Sequence, residues 1–295
     1  MAKTATKTQK RSAAMRAAIG LALGGGAARG LAHIPILEAL DELGLKPGII
    51  AGTSIGSIVG AAYASGMTGK DMRDYVKKLF GNRTELFRRI ATRWPGALGA
   101  LWNPFTPAMF NGETLIELLL PETLPLEFEN LAIPFLAIAT DFHAEEQVIF
   151  ESGPLMPAIA ASSALPALLK PVQIGDRILI DGGFVNPTPF DVIRDRADIV
   201  IAVDVTGAPK KRPGRTLPNS FDTWLGAAQI TLHSIVREKL KSIQPDILIR
   251  PEIGGIGALD FFKTPDILQA GDAVKDDFKR QLAARLDARA TNRHR

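Results

Sequence analysis

An α/β fold, with a mostly parallel central sheet and helices on both faces, is predicted by three observations. Short apolar runs of strand length alternate along the chain with stretches whose apolar residues recur at helical spacing. Glycines punctuate the junctions between the two kinds of segment. Of 295 residues 46% are hydrophobic, and no linker-like stretch divides the middle, so the chain reads as one large domain with a sizeable core.

The elements follow in order. Residues 18–23 form a short buried strand, and residues 31–43 have helical spacing ended by Gly44. A second short strand, 48–51, leads through a turn into 55–64, a helix of small residues suited to packing closely on a sheet. Residues 71–80 read as a polar-faced helix. Strands are expected at 133–140 and 147–150, a helix at 156–164 closed by Pro166, and strands at 177–180 and 198–205, the last a run of Ile and Val. A long helix over about 222–242, a strand at 246–250 and a terminal helix beginning near Pro265 complete the pattern. Residues 84–110 differ, holding Trp94, Trp102 and three phenylalanines broken by Pro95, Pro104 and Pro107. They read either as an irregular insertion packed on the core or as an apolar cap over a lipid site.

Charge is concentrated at the ends. Residues 1–16 carry five basic residues and no acid, and residues 279–295 carry six against Asp287 alone. Each end therefore holds five net positive charges, and a chain of net charge +4 has a body near −6. Solvated, disordered ends are the plain expectation. Attraction to an anionic membrane is the sharper one, each basic residue adding about 1 kcal/mol near such a surface. Nucleic acid is disfavoured because the body carries no binding motif and few aromatics. The division expected is a basic tail over 1–16, one domain over 17–285 with its motifs between 19 and 205, and a basic tail over 286–295. The apolar run after the basic N-terminus passes straight into a glycine turn with no cleavage region, so a signal peptide is not expected. No apolar run is long enough to span a bilayer. The cytoplasm is the expected compartment, with peripheral contact at the inner membrane face as an extension of it. The chain has no cysteine, which excludes disulfides, thiolate catalysis and cysteine-ligated metal. Its four histidines are scattered, so no metal site and no cofactor are expected.

Two stretches carry chemistry. Gly24-Gly25-Gly26-Ala27-Ala28-Arg29-Gly30 is a glycine-rich turn between a strand and a helix. It fails the dinucleotide fingerprint because Arg29 stands at the third required position, and it fails the Walker A pattern because Leu31 stands where lysine must be. Gly69-Lys70 fails too, being followed by Asp71 with Ala64 at the upstream glycine position. An oxyanion site is the better account, since glycines let successive N–H groups converge at a helix N-terminus. Arg29 would orient the turn or hold an anionic head group. The second stretch, Gly52-Thr53-Ser54-Ile55-Gly56, has the spacing of a nucleophile turn, in which neighbouring side chains would clash. Ser54 would also lie at a helix start, where the dipole favours developing negative charge.

The base is open between two groups. His233 follows acids such as Asp181 and Asp204, as a Ser-His-Asp esterase of the α/β-hydrolase order requires. It sits mid-helix, however, and Ser54 comes early for that fold. His33, one turn into the first helix, reads as structural. Asp181 ends a strand and is followed by Gly182 and Gly183, so its carboxylate can approach another loop. An aspartate is a weak base at its reference pKa near 3.9 and improves when desolvated.

Three blocks, in order, give the sequence a resemblance to bacterial patatin-like phospholipases, relatives of the catalytic domains of neuropathy target esterase. The 24–30 turn resembles the family's oxyanion motif, 52–56 its nucleophile elbow, and Asp181-Gly182-Gly183 its aspartate motif; 160–166 and Val185-Asn186-Pro187 fit as well. The resemblance spans about 19–205. It implies a three-layer α/β/α fold, a Ser–Asp dyad of Ser54 and Asp181 without histidine, and hydrolysis of fatty acyl esters of phospholipids or lysophospholipids without a metal. Gly24, Gly25, Gly26, Arg29, Gly30 and Ile55 would form the oxyanion site, Gly52 and Gly56 the elbow. A lipid-binding regulatory protein that keeps the fold without catalysis is the alternative from another class.

Overall fold

The computed structural model describes residues 17–81, 88, 112–121, 123–208, 217 and 219–293. Residues 1–16, and all of 84–110 except Arg88, lie outside the described residues, and with them the basic N-terminal tail and the insertion or cap expected over 84–110.

Strands β1 (Ala17–Leu23), β2 (Ile49–Thr53), β3 (Phe135–Asp141), β7 (Ala197–Val203) and β8 (Ile247–Ile249) form the parallel part of one sheet. Strands β4 (Glu146–Phe150), β5 (Val172–Ile174) and β6 (Arg177–Asp181) join it antiparallel, so the sheet runs β5-β6-β3-β2-β1-β7-β8 with β4 on β3. The antiparallel additions all gather at the β3 end. The central strands alternate with the period of a pleat. Leu21, Leu23, Ile50, Phe135, Ile199 and Ile201 face the larger apolar core, while Ala22, Ala51, Leu136, Ile138, Val200 and Ala202 face the smaller one.

Helices cover both faces, unequally. The larger core is closed by α1 (His33–Glu42), α2 (Ile55–Ala64), α3 (Gly69–Gly81), α4 (Gly112–Leu119), α5 (Leu155–Ser162), α7 (Thr264–Asp272) and α8 (Lys275–Arg293). The smaller core is closed by Phe190 and Ile193, by Leu240 near the C-terminal end of α6 (Ser220–Ser242), and by Ile243 just after it. The expected three layers are present, with one outer layer thin.

Local differences have local causes. The helix expected over 31–43 opens with a 3-10 turn, Ala27–Ala32, because the glycine run feeds straight into it. The terminal helix is two helices, α7 and α8, so basic residues between 279 and 293 lie along a helix rather than a loose end. Helix α4 and strand β5 are additions to the expected pattern, and the three residues of β5 are too few for a readable period.

Candidate active site

Strand β2 ends at Thr53 and α2 begins at Ile55, leaving Ser54 alone to make the turn. Its backbone sits at φ 55° and ψ −126°, a sparsely populated conformation that costs on the order of 1–3 kcal/mol. The turn is this sharp because α2 lies directly against β1. A Cβ placed on Gly56 would come within 2.1 Å of the Leu23 carbonyl oxygen, so only glycine fits. The Ser54 carbonyl accepts from the Ser57 hydroxyl at 2.6 Å, and its N–H donates to Ser162 Oγ at 3.0 Å. With the backbone held at both ends, the side chain is turned away from its own helix. Ser54 Oγ donates to Asp181 Oδ2 at 2.6 Å.

The sheet explains how residues 127 positions apart come to touch. Over 137–141 one edge of β3 is occupied by β4. The opposite edge carries β2 as far as Thr53, which sits beside Ile138. It then carries β6, running the other way, whose last residue Asp181 sits beside Ala139. The two strands therefore meet end to end, and their final side chains face each other across one residue step of β3. Close approach is again what glycine permits: a Cβ on Gly182 would lie 2.0 Å from the Ile138 carbonyl oxygen. Asp181 Oδ1 accepts from the Gly183 N–H at 2.8 Å, which fixes the carboxylate plane. The Thr140 hydroxyl and the Ala164 carbonyl hold the backbone of Asp181. Asp181 is 4% exposed. Burial pushes its pKa up from 3.8 to about 6, against the opposing pull of the bonds from Ser54 and Gly183.

The glycine turn corrects part of the expectation. The N–H of Gly24 donates to Val203 and that of Gly25 to Pro187, at 3.0 and 2.8 Å, so neither is free to meet a ligand oxygen. The Arg29 N–H closes the 3-10 turn on Gly26, and that of Ala28 goes to Ala258. Among the described residues, the N–H groups of Gly26, Ala27 and Ile55 form no hydrogen bond. Gly25 packs on Ser54, where a Cβ would be 3.3 Å from the serine Cβ, so this end of the turn borders the hydroxyl. Gly30 packs on Ile55.

The Arg29 side chain points into the fold. Its guanidinium donates to the carbonyls of Ile256 and Thr206, each at 2.9 Å, and to Gln229 Oε1 at 3.1 Å. It ties the turn to α6 and to the loops after β7 and β8, which is the orienting role and not that of a head-group receptor.

Neither His33 nor the half-buried His233 hydrogen-bonds the serine hydroxyl. His33 Nε2–H donates to the Gly24 carbonyl at 2.8 Å and so pins the turn from below, while burial pushes its pKa down to about 4. Its Nδ1 and that of His233 are buried and without a hydrogen-bond partner among the described residues. The side-chain hydrogen bond of Ser54 Oγ is to Asp181 and not to His233, the base the triad alternative would use.

A polar network behind the aspartate loop escaped the sequence reading. Lys239, on α6, donates to Asn186 Oδ1, to Asp191 Oδ1 at 2.6 Å and to the Thr188 carbonyl at 2.9 Å. Asn186 in turn accepts from the Thr53 hydroxyl on its carbonyl at 2.8 Å, and Pro187 holds Gly25. One half-buried cation thus organises the loop that braces the residue before Ser54 and the glycine turn at once. Nothing in the spacing of α6 distinguishes this lysine from a solvated one.

Among the described residues no group of three or more His, Asp or Glu could hold a metal ion, and no helix is long and apolar enough to cross a membrane.

A family model described as patatin-like phospholipase matches residues 21–194. The sequence is 36% identical, over 208 residues, to an uncharacterized NTE family protein of Mycobacterium tuberculosis; the match covers 70% of this chain and 54% of that protein. It is 32% identical over 289 residues to a protein named lysophospholipase NTE1 from Kluyveromyces lactis, covering 90% of this chain and 19% of that one. The chain thus spans about half the length of the mycobacterial relative and about a fifth of the fungal one. Among solved structures, VipD from Legionella pneumophila aligns over 90% of this chain and 67% of its own, with a TM-score of 0.47 and 13% identity.

Proposed function

The chain belongs to the patatin-like phospholipase family, and from that premise we propose that it is a serine lipid acyl hydrolase working through a dyad of Ser54 and Asp181. The observation that carries this reading is the 2.6 Å hydrogen bond from Ser54 Oγ to Asp181 Oδ2. Ser54 Oγ attacks the ester carbonyl carbon while its proton passes to Asp181. The raised pKa of Asp181, about 6, makes it a better proton acceptor than an exposed carboxylate yet leaves it ionised at neutral pH. The tetrahedral oxyanion is received by the N–H groups of Gly26, Ala27 and Ile55 at the start of α2, where the helix dipole favours negative charge. Collapse of the intermediate breaks the ester C–O bond. Asp181 returns the proton to the departing alcohol, and an acyl-serine remains. Water, losing a proton to Asp181, attacks that ester; the fatty acid leaves and Ser54 regains its proton.

The substrate class proposed is phospholipid or lysophospholipid, which the names of the fungal relatives support. The basic residues along α8, and those of 1–16, suit contact with an anionic bilayer. A fluorophosphonate probe tests the dyad. Mass spectrometry should place the adduct on Ser54, and p-nitrophenyl ester hydrolysis should vanish in Ser54→Ala and Asp181→Asn. Labelling at another serine, or turnover surviving in both variants, would overturn the assignment. Deleting residues 1–16 should weaken sedimentation with phosphatidylglycerol vesicles at low salt; equal sedimentation removes the membrane role of that segment.

A further inference from the structure

We infer that residues 162–164, the turn that closes α5, set the two members of the dyad against each other, and that Ser162 is the positioning residue for Ser54; this rests on the assignment of Ser54 and Asp181. The turn holds one backbone N–H of each. Ser162 Oγ accepts from the Ser54 N–H at 3.0 Å, and two residues on, the Ala164 carbonyl accepts from the Asp181 N–H at 3.0 Å. Ser54 follows β2 and Asp181 ends β6, which reach this point from opposite directions along β3. A third element, belonging to neither strand, therefore grips both.

The local sequence accounts for the placement. Ala158, Ala160 and Ala161 are small and buried, so α5 lies close on the sheet. Ala161 shares an apolar cluster with Ala139, the residue beside Asp181. Pro166 keeps the helix from running on, so the Ala164 carbonyl finds its donor outside α5. Ser162 is fully buried. A serine in a helix commonly donates to the carbonyl four residues back. Among the described residues Ser162 makes no such bond, and its hydrogen bond is the one it accepts from Ser54.

Ser54 depends on that acceptor. A strained backbone such as its φ 55° and ψ −126° persists only where the surroundings over-determine it. Packing of Gly56 on Leu23 places the turn, and Ser57 holds the Ser54 carbonyl. The N–H side of the residue is held by Ser162. The same bond withdraws the Ser54 N–H from the oxyanion, which leaves Ile55 to supply the amide from this turn.

The experiment compares wild type, Ser162→Ala and Ser162→Cys on p-nitrophenyl butyrate. Ser162→Ala should lower kcat by on the order of 10–100-fold with KM changed less than about twofold, and should slow fluorophosphonate labelling of Ser54. A pH profile separates positioning from mere support. Burial and the bonds from Ser54 and Gly183 set the pKa of Asp181, and the bond from Ser54 lowers it. Loosening that bond should move the midpoint of the kcat/KM rise upward from about 6. Wild-type kcat in the folded variant overturns the inference. So does a lower urea midpoint with the pH midpoint unmoved. Ser162→Cys, close in size with a weaker acceptor, should fall between the two. It keeps the test decisive if Ser162→Ala does not fold, because wild-type kcat and pH midpoint in the cysteine variant overturn the inference as well. The parent reading fails separately, by turnover that survives Ser54→Ala.

Discussion

The Ser54 side and the Asp181 side of the site are held by different physics. The turn at Ser54 is fixed by contact. Gly56 presses backbone against backbone on Leu23, and glycine is what makes room. The loop after Asp181 is fixed by polar groups that arrive from far along the chain: Lys239 on Asn186 and Asp191, and Gly25 and Thr53 on the carbonyls of Pro187 and Asn186. Steric clamps fail by not folding, whereas polar clamps loosen by degrees. Damage to the first should therefore read out as lost stability, and damage to the second as slower turnover in a folded protein.

Variants ordered by expected effect can break that contrast. Ser54→Ala should reduce kcat by on the order of 10⁴-fold or more with no loss of fold, measured on p-nitrophenyl butyrate.

Asp181→Asn should lower kcat by on the order of 10³–10⁴-fold. Its stability should move the other way. The folded pKa of Asp181, about 6, exceeds its ordinary 3.8, so the folded chain holds this proton more tightly than the unfolded one. The side chain is fully accommodated below about pH 4 and becomes destabilising as pH rises through about 6, reaching about 3 kcal/mol above that. In urea titrations the asparagine variant should thus be the more stable protein at pH 8 and equal to wild type near pH 4. A lower stability at pH 8 would mean that burial does not govern this carboxylate. By the same ionisation, wild-type kcat/KM should climb with pH around 6.

Gly56→Ala should destabilise by about 3 kcal/mol or more, because the atom it meets is a backbone oxygen that cannot move aside. Low expression or an early urea midpoint is the expected result, and a wild-type midpoint would refute the steric clamp. Lys239→Met should cost about 2 kcal/mol through its lost charged hydrogen bonds. More diagnostically, it should slow Ser54 labelling by a fluorophosphonate in protein that is still folded, with partial recovery in Lys239→Arg. His233→Ala should change turnover less than about twofold, since its ring has no part in the hydrogen bond between Ser54 and Asp181.

The same contrast marks what could be read in the sequence. Ser54, Asp181 and the glycine turn were legible because steric demands act over a few neighbouring residues and leave glycines at fixed spacing. The alternation of strands and helices was legible for a similar reason, as both core faces of β1, β2 and β7 are written in a period of two. Polar support was not legible. Lys239 looks like any cation on a helix until the loop at 186–191 folds against it. Arg29 looked free to meet an anion, and only the arrival of Thr206, Gln229 and Ile256 shows where its donors go. The commitment of the Gly24 and Gly25 N–H groups is likewise a property of β7 and of Pro187, neither of them nearby in sequence. The antiparallel entry of β6 had no local sign either, because its direction is dictated by which edge of β3 was vacant.

Strand β3 contributes no reactive group, yet it serves as the ruler for the whole arrangement. Thr53 stops against Ile138 and Asp181 against Ala139, so the gap between hydroxyl and carboxyl is gauged by a single peptide unit of a strand that neither belongs to. Side chains along β3 can be exchanged for others of similar bulk without altering that gauge. Inserting or deleting one residue there would pull the two halves out of step while leaving every motif residue intact.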